Sequence, residues 1–445
     1  MFPRIARAIT RCLQTGILSC MTASLVPLPA SAQEPSVLSL AREVGQQLAA
    51  GQLAAVHARL SENAREALPL PKFEEIWRSL QKQFGDMTEV GTPLAVSSPD
   101  RASAAVPMKF AHATLYLKIT ARNGTIEGLQ FVPRLETWTP PPYAQPDLFT
   151  EVDLEFGRPG LRLPATLTLP KGAARHPAVV LVHGSGPNDR DETIGPNKPF
   201  KDLAHGLASR GIAVLRYEKR SRMYPGSFKS RAFTVHDEVL EDAALAVELL
   251  AAREEIAPDR IFVLGHSLGG TLAPRIPPLA PKTAGLIIAA GATRPLPQLM
   301  LEQTSYLATL NGSTPASQAE ARTTLARDVE KALAARPSPD ATLVLGAPMS
   351  YWGDLNAVDP AKSAAEFKGR ILILQGGRDY QVTLEDLERY QTALAGRTDT
   401  RIKVYPDLNH LFMEGSGKST PAEYAVRSPV AKSVIDDIAA FVTAP

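Results

Sequence analysis

Ile261-Phe262-Val263-Leu264-Gly265-His266-Ser267-Leu268-Gly269-Gly270-Thr271-Leu272-Ala273 decides how this chain folds. Four apolar residues closed by glycine predict a strand, and the residues after Ser267 can open a helix. A serine on so tight a strand-to-helix turn has its hydroxyl lifted out of the sheet. Gly265 and Gly269 are small because side chains there would collide where strand and helix cross. Gly265-x-Ser267-x-Gly269 therefore reads as a nucleophile elbow, with Ser267 as candidate nucleophile. Three small residues recur by chance in a long chain, so the motif gains its weight from its surroundings.

Those surroundings alternate strand and helix. Ala178–Val182, Ile212–Leu215, Leu286–Ala290 and Ile371–Leu374 are, like Ile261–Leu264, nearly continuous apolar runs. Such runs suit parallel strands covered on both faces. Thr234-Val235-His236-Asp237 reads as a capping box ahead of Val239, Ala243, Ala246, Val247 and Leu250. Ser428-Pro429 predicts the start of a last helix, with Val430, Val434, Ile438 and Phe441 on its inner face. The expectation is an α/β fold with a mostly parallel sheet. From Arg294 to about Phe367 the rhythm breaks. One helical face carries Leu296, Leu299, Met300, Leu307 and Leu310, and Thr314-Pro315 opens a second helix with Leu325, Val329 and Leu333. That stretch, about 294–367, is expected to be a cap inserted over the elbow.

A serine hydroxyl is a poor nucleophile without a base, and the base needs an orienting group. His410 is the sole histidine after Ser267, in a loop following the short strand Ile402–Tyr405. The acid is expected at the end of the preceding strand, where Gln375-Gly376-Gly377-Arg378-Asp379 supplies it. Asp354 and Asp359 are rivals, but both lie in the insertion and follow no strand. The chain order Ser267, Asp379, His410 suits this fold. Donors for a developing oxyanion are expected from the Leu268 N–H and from the loop His183-Gly184-Ser185-Gly186-Pro187, with the Ser185 N–H as the choice. His183 is read as a brace for that loop. Gly184-x-Gly186 is no dinucleotide fingerprint, because a third glycine and a following helix are missing.

With these residues in place, the chain from about Val152 to Val442 resembles the α/β-hydrolase superfamily. More narrowly, His183-Gly184-Ser185-Gly186-Pro187-Asn188-Asp189-Arg190-Asp191-Glu192, Asn197-Lys198-Pro199-Phe200 and Leu215-Arg216-Tyr217-Glu218-Lys219-Arg220 are similar to a bacterial esterase family of the EstD type. Glu218 stands where relatives often have aspartate. The resemblance implies a serine carboxylesterase acting on a small-molecule acyl ester, without metal or cofactor. Related branches include aminopeptidases and acyltransferases, which keeps a peptidase or amidase and an acyl transfer open as alternatives. A binding protein on the same scaffold would typically lose a member of the serine, aspartate and histidine set, and none is lost here. Arg190, Asp191 and Lys219 are charged residues on loops expected near the pocket mouth. Leu299 and Met300 of the cap are expected to contact the acyl chain.

Ahead of this region the text differs. Ser36 to Arg65 has helical spacing, with Val37, Leu40, Val44 and Leu48, then Leu53, Val56 and Leu60; Phe73, Ile76, Trp77 and Leu80 form a second stripe. From Thr88 to Val132 the segments are β-like, with a turn at Asn123-Gly124. A small α+β domain over 36–132 is expected, resembling a domain of unknown function found ahead of bacterial hydrolases. Pro133, Pro140, Pro141, Pro142 and Pro146 predict a stiff linker over 133–149, so the α/β domain is expected over 150–445.

Arg4, Arg7 and Arg11, an apolar stretch from Ile17 to Leu28, and Ala30-Ser31-Ala32 read as a signal peptide over 1–32. The expected location is periplasmic or secreted, without a stable membrane anchor. Pro27, Pro29 and the short apolar stretch speak against an anchoring helix. Cys12 and Cys20, the two cysteines, both lie in that segment. A mature chain would have no disulfide, cysteine nucleophile or thiolate metal site. Cleavage removes three arginines and no acid, taking the net charge from +2 to −1. Neither value gives the basic field that nucleic acid requires.

Overall fold

The apolar runs of the C-terminal part pair into one eight-stranded sheet. They do so in a computed structural model that describes residues 37–96, 102–122, 124–132, 138–172, 175–228, 231–310 and 315–444. The expected signal segment lies outside the described residues. The chain divides into two units, Met1–Leu135 and Glu136–Pro445.

The first unit has helices α1 (Val37–Ala49), α2 (Leu53–Ala58), α3 (Glu62–Ala67) and α4 (Leu70–Phe84). Strands β1 (Met87–Val90), β2 (Leu94–Ala95), β3 (Ala102–Phe110), β4 (Thr114–Arg122) and β5 (Thr125–Val132) follow as an antiparallel sheet. Leu40, Val44 and Leu48 recur at helical spacing and bury one face of α1, with Phe73 and Trp77 of α4. They meet Val106, Met108, Leu117 and Ile119, alternate residues of β3 and β4 that share one sheet face.

The second unit opens with the antiparallel hairpin β6 (Phe149–Arg158) and β7 (Leu161–Pro170). Then come β8 (His176–Val182), α5 (Pro199–Ala208), β9 (Ala213–Tyr217), α6 (Arg220–Met223), α7 (Glu241–Ala251) and β10 (Ile256–His266). After the elbow follow α8 (Leu268–Leu272) and β11 (Thr283–Ala289). The insertion consists of α9 (Leu296–Leu310), α10 (Pro315–Ala334), the short β12 (Leu343–Val344) and β13 (Ala347–Pro348), α11 (Met349–Asn356) and α12 (Pro360–Glu366). β14 (Arg370–Gly376), α13 (Leu384–Ala393), β15 (Thr400–Tyr405) and α14 (Lys432–Thr443) complete it. The sheet order is β15-β14-β11-β10-β8-β9-β7-β6, parallel from β15 to β9. Val179, Leu181, Phe262 and Leu264 face α5 and α14, whereas Val180, Val182, Ile261 and Val263 face α7. Both sheet faces are covered, so these strands carry no polar alternation.

One local signal misplaces a helix start, and another places its helix but not its form. The last helix begins at Lys432, not at Ser428-Pro429. Distant acceptors hold the intervening backbone out of helix: Asn197 Oδ1 takes the Ser428 N–H (2.8 Å), Asp202 Oδ2 that of Val430 (3.1 Å), and the Phe412 carbonyl that of Ala431 (2.9 Å). At the capping box, Asp237 Oδ2 accepts from the Thr234 N–H (2.8 Å) and hydroxyl (3.0 Å). The turn that follows, His236–Leu240, is a π-helix leading into α7.

The proline-rich stretch is also corrected, because much of it is no linker. Trp138 donates its indole N–H to Asp202 Oδ1 (2.8 Å), and the Tyr143 hydroxyl donates to the Val430 carbonyl (2.7 Å). The Gln145 N–H bonds Ser209 Oγ (2.8 Å). The prolines stiffen a strap laid along α5, and the second unit starts at Glu136 rather than 150. Asp202 is fully buried and needs its donors. Trp138→Phe in the full chain should therefore cost about 1–3 kcal/mol of unfolding free energy, read from denaturant midpoints. Coincident unfolding curves would show that the strap adds nothing.

Candidate active site

β10 hands the chain to Ser267 at φ +53° and ψ −117°. This left-handed conformation costs energy for a serine and persists only when its surroundings dictate it. The Ser267 N–H is fixed to the Ala289 carbonyl (2.9 Å), and its own carbonyl accepts from Thr271 (2.9 Å). A Cβ on Gly265 would come within 2.1 Å of the Gly269 carbonyl, and one on Gly269 within 2.3 Å of the Val182 carbonyl. Neither contact is tolerable, so both glycines are obligatory to the turn.

Asp379 and His410 are brought together by the ends of β14 and β15. A Cβ on Gly376 would lie 2.6 Å from the Asn409 carbonyl, so glycine is what lets the two strand ends approach. Asp379 Oδ2 takes His410 Nδ1 at 2.6 Å, while Oδ1 accepts from the N–H groups of Gln381 (2.7 Å) and Val382 (3.1 Å). Both side chains are buried. With Nδ1 donating to the carboxylate, Nε2 is the nitrogen left with a lone pair. Asn409, which the sequence reading passed over, shapes this loop: its Oδ1 accepts from Leu411 (3.0 Å) and Met413 (3.1 Å). The rival carboxylates are engaged elsewhere. Asp354 pairs with Arg275 (2.7 Å), and Asp359 caps α12.

Ser267 and His410 border one cavity of about 960 Å³. Leu268 and Ser185 border it too. Leu268 is the first residue of α8, so its N–H has no partner within the helix. The Gly184 carbonyl is held by Lys219 Nζ (2.9 Å) and Asn188 Nδ2 (3.1 Å). In a trans peptide the following N–H points the opposite way. The Ser185 N–H is thus turned away from them, and no acceptor takes it among the described residues.

Lys219 and Arg190 do not face the cavity, contrary to the expectation for them. Lys219 is buried and bridges the Gly184 carbonyl to Glu238 (2.9 Å). Arg190 is bound to Glu218 (2.8 Å), Thr166 (2.7 Å) and Asp153 (3.1 Å). Asp191 pairs with Arg216 and with Lys198. The two charged motifs therefore interlock through Arg190–Glu218 and Asp191–Arg216, and their charges are taken up by protein groups instead of by a substrate. Leu299 and Met300 do border the cavity, as do Leu345, Tyr351, Trp352 and Leu355, which no periodicity singles out. Arg294, buried at the root of α9, binds Asp386 (2.9 Å), Glu385 (2.7 Å) and Glu302 (2.9 Å) and pins the start of the cap.

His183 packs between Phe200 and Tyr217, with both ring centroids at 5.1 Å. Burial pushes its pKa down to about 4, against an opposing pull from Glu192. Between about pH 6.5 and that value the unfolded chain binds a proton that the folded one refuses, so stability rises with pH through this window. The wild type should lose about 3 kcal/mol on acidification from pH 6.5 to 4 on this account. His183→Asn should flatten that part of the unfolding profile; parallel profiles would assign the acid sensitivity to other groups.

Among the described residues, no group of three or more histidine, cysteine or acidic side chains could hold a metal ion. No helix among them is long and apolar enough to cross a membrane. A family model described as the alpha/beta hydrolase family matches residues 179–427. A second, described as a protein of unknown function (DUF3887), matches residues 41–129. Esterase EstD of Thermotoga maritima is 40% identical over 381 residues, covering 85% of this chain and 89% of its own. Among solved structures, 2,6-dihydroxy-pseudo-oxynicotine hydrolase is 19% identical, covering 66% of this chain and 68% of its own, with a TM-score of 0.43. An esterase of Pyrococcus furiosus is 16% identical, covering 62% and 88%, with a TM-score of 0.41.

Proposed function

This chain belongs to the alpha/beta hydrolase family, and from that premise we propose that it is an exported serine carboxylesterase working through Ser267, His410 and Asp379. Ser267 attacks the acyl carbonyl while His410 Nε2 takes its proton. The Leu268 and Ser185 N–H groups donate to the oxyanion of the tetrahedral intermediate. His410 returns the proton to the departing alcohol, leaving an acyl-enzyme. Water then repeats the sequence and frees the acid. Asp379 holds the imidazole in the tautomer that leaves Nε2 basic. The observation that carries this reading is the 2.6 Å His410–Asp379 bond beside the cavity that the strained Ser267 borders. Export rests on Arg4, Arg7, Arg11 and Ala30-Ser31-Ala32, and mass spectrometry of native material should find the mature terminus near Gln33.

An ester is favoured over a peptide because a free amine would need an unengaged carboxylate. The acidic residues bordering the cavity, among those described, are Glu192 and Asp359. The first is paired with His266, and the second caps α12. A panel of acyl esters and amino-acid amides tests this directly. Faster cleavage of the amides would replace the esterase reading with a peptidase.

The cap should govern acyl preference. Met300 is half-buried at the cavity, so Met300→Ala should move the optimum toward longer acyl chains. Leu299 also packs on Ala292 and Val382, so Leu299→Ala should widen the pocket and cost about 2–5 kcal/mol of stability. An unchanged chain-length profile in both folded variants would place α9 away from the acyl group.

A further inference from the structure

Glu192 has no part in the steps above, yet it is built into the site. It is 3% exposed and sits at φ +50°, a left-handed conformation uncommon for glutamate. Its Oε1 accepts the Gly184 N–H at 2.6 Å. Its Oε2 lies 2.9 Å from Nδ1 of His266, the residue just before Ser267. Neither of those two atoms has an aligned hydrogen-bond partner, so the contact is an ion pair rather than a linear bond. His266 Nε2 meets the His410 carbonyl at 2.9 Å, and the two imidazole rings lie 4.8 Å apart.

A nitrogen that bonds a carbonyl must carry a proton, so His266 Nε2 is the protonated one. Nδ1 then faces a carboxylate, which favours a second proton there and a charged ring. Burial alone would push the His266 pKa down, but the Glu192 charge beside it raises it overall. Burial alone would raise that of Glu192, and His266 lowers it overall. Removing one member of such a buried pair strands the other charge. Gly184 is gripped on both sides, its N–H by Glu192 and its carbonyl by Lys219 and Asn188. The direction of the next N–H, that of Ser185, is thereby set.

Resting on the serine esterase reading, we propose that Glu192 is a positioning residue that ties the oxyanion loop to the backbone of His410 through His266. Residues 184 and 410 lie on two separate loops and His266 ends β10, and this one carboxylate fixes their spacing around Ser267. No proton moves through it; its action is to keep donors and base where the transition state needs them.

Glu192→Gln keeps the shape and an oxygen for Gly184 but removes the charge facing His266. Its kcat on a short acyl ester should fall about 10- to 100-fold with KM within about threefold, the scale expected of sub-ångström misplacement. The affinity of a boronic acid that forms a tetrahedral adduct on the serine should fall by the same factor as kcat/KM. His266→Gln keeps a donor for the His410 carbonyl and loses the pair, and should show a comparable loss. The double variant should be no worse than the poorer single, because the two act as a unit. A kcat within about twofold of wild type would overturn the proposal, even with a lowered unfolding temperature, since a fold brace alone predicts that result. Lost turnover with unaltered boronate affinity, or additive losses in the double variant, would overturn it too. Should Glu192→Gln not fold, His266→Gln carries the same comparison. If the wild type itself fails to cleave the ester, or a phosphonate labels a serine other than Ser267, the esterase reading fails instead.

Discussion

Ser267→Ala is expected to lower ester turnover on the order of 10⁴- to 10⁶-fold, and His410→Ala by a similar factor. The alanine hardly alters the elbow, because Ser267 is held by its backbone N–H and carbonyl and not by its hydroxyl. What disappears is the nucleophile, or in the second variant the base that makes it one. Removing both should cost little more than removing either, since one missing member already disables the rest. An organophosphonate sharpens the test, as it should label Ser267 alone and label the His410→Ala protein far more slowly. A label on another serine, or a fully active Ser267→Ala protein, would sink the mechanism.

Asp379→Asn should reduce kcat about 10⁴-fold with the fold intact. An asparagine can keep its oxygen on the Gln381 and Val382 N–H groups, where Asp379 Oδ1 now sits. Its amide nitrogen then occupies the place of Oδ2 and donates to His410 Nδ1. The imidazole must answer with a lone pair there, which puts its proton on Nε2 and blocks proton acceptance from serine. Rescue by Asp354 is not expected, because that carboxylate is bound to Arg275. A loss below about tenfold at an unchanged unfolding temperature would mean that another group orients His410.

The fold was legible because parallel strands buried on both faces write themselves as uninterrupted apolar runs, as Val179–Leu181 and Phe262–Leu264 do. Ser267 and His410 at one cavity, with Asp379 behind the imidazole, lie at strand ends, which the same runs mark. Charged loop residues were another matter. Arg190 and Lys219 look alike whether they face water, a substrate or a buried partner, and their partners lie 28 and 35 residues away. Ser428-Pro429 is a sound local signal for a helix start. It is overruled by acceptors 231 and 228 residues distant, and no window of sequence contains both sides of that contest. The prolines of the strap announced stiffness correctly but could not say what surface they lie on.

That strap also determines where this protein can be cut and rejoined. A genetic exchange that swapped the first unit for another module, with its crossover inside Pro140–Pro146, would leave Trp138 with the wrong parent and Asp202 without its indole donor. A crossover among residues 133–137, by contrast, passes the strap on together with α5 and the Val430 segment it is bonded to. Shuffled variants of this architecture should therefore survive according to which side of Trp138 the junction falls, and a designer grafting the hydrolase onto a new partner should count the tryptophan as its first residue.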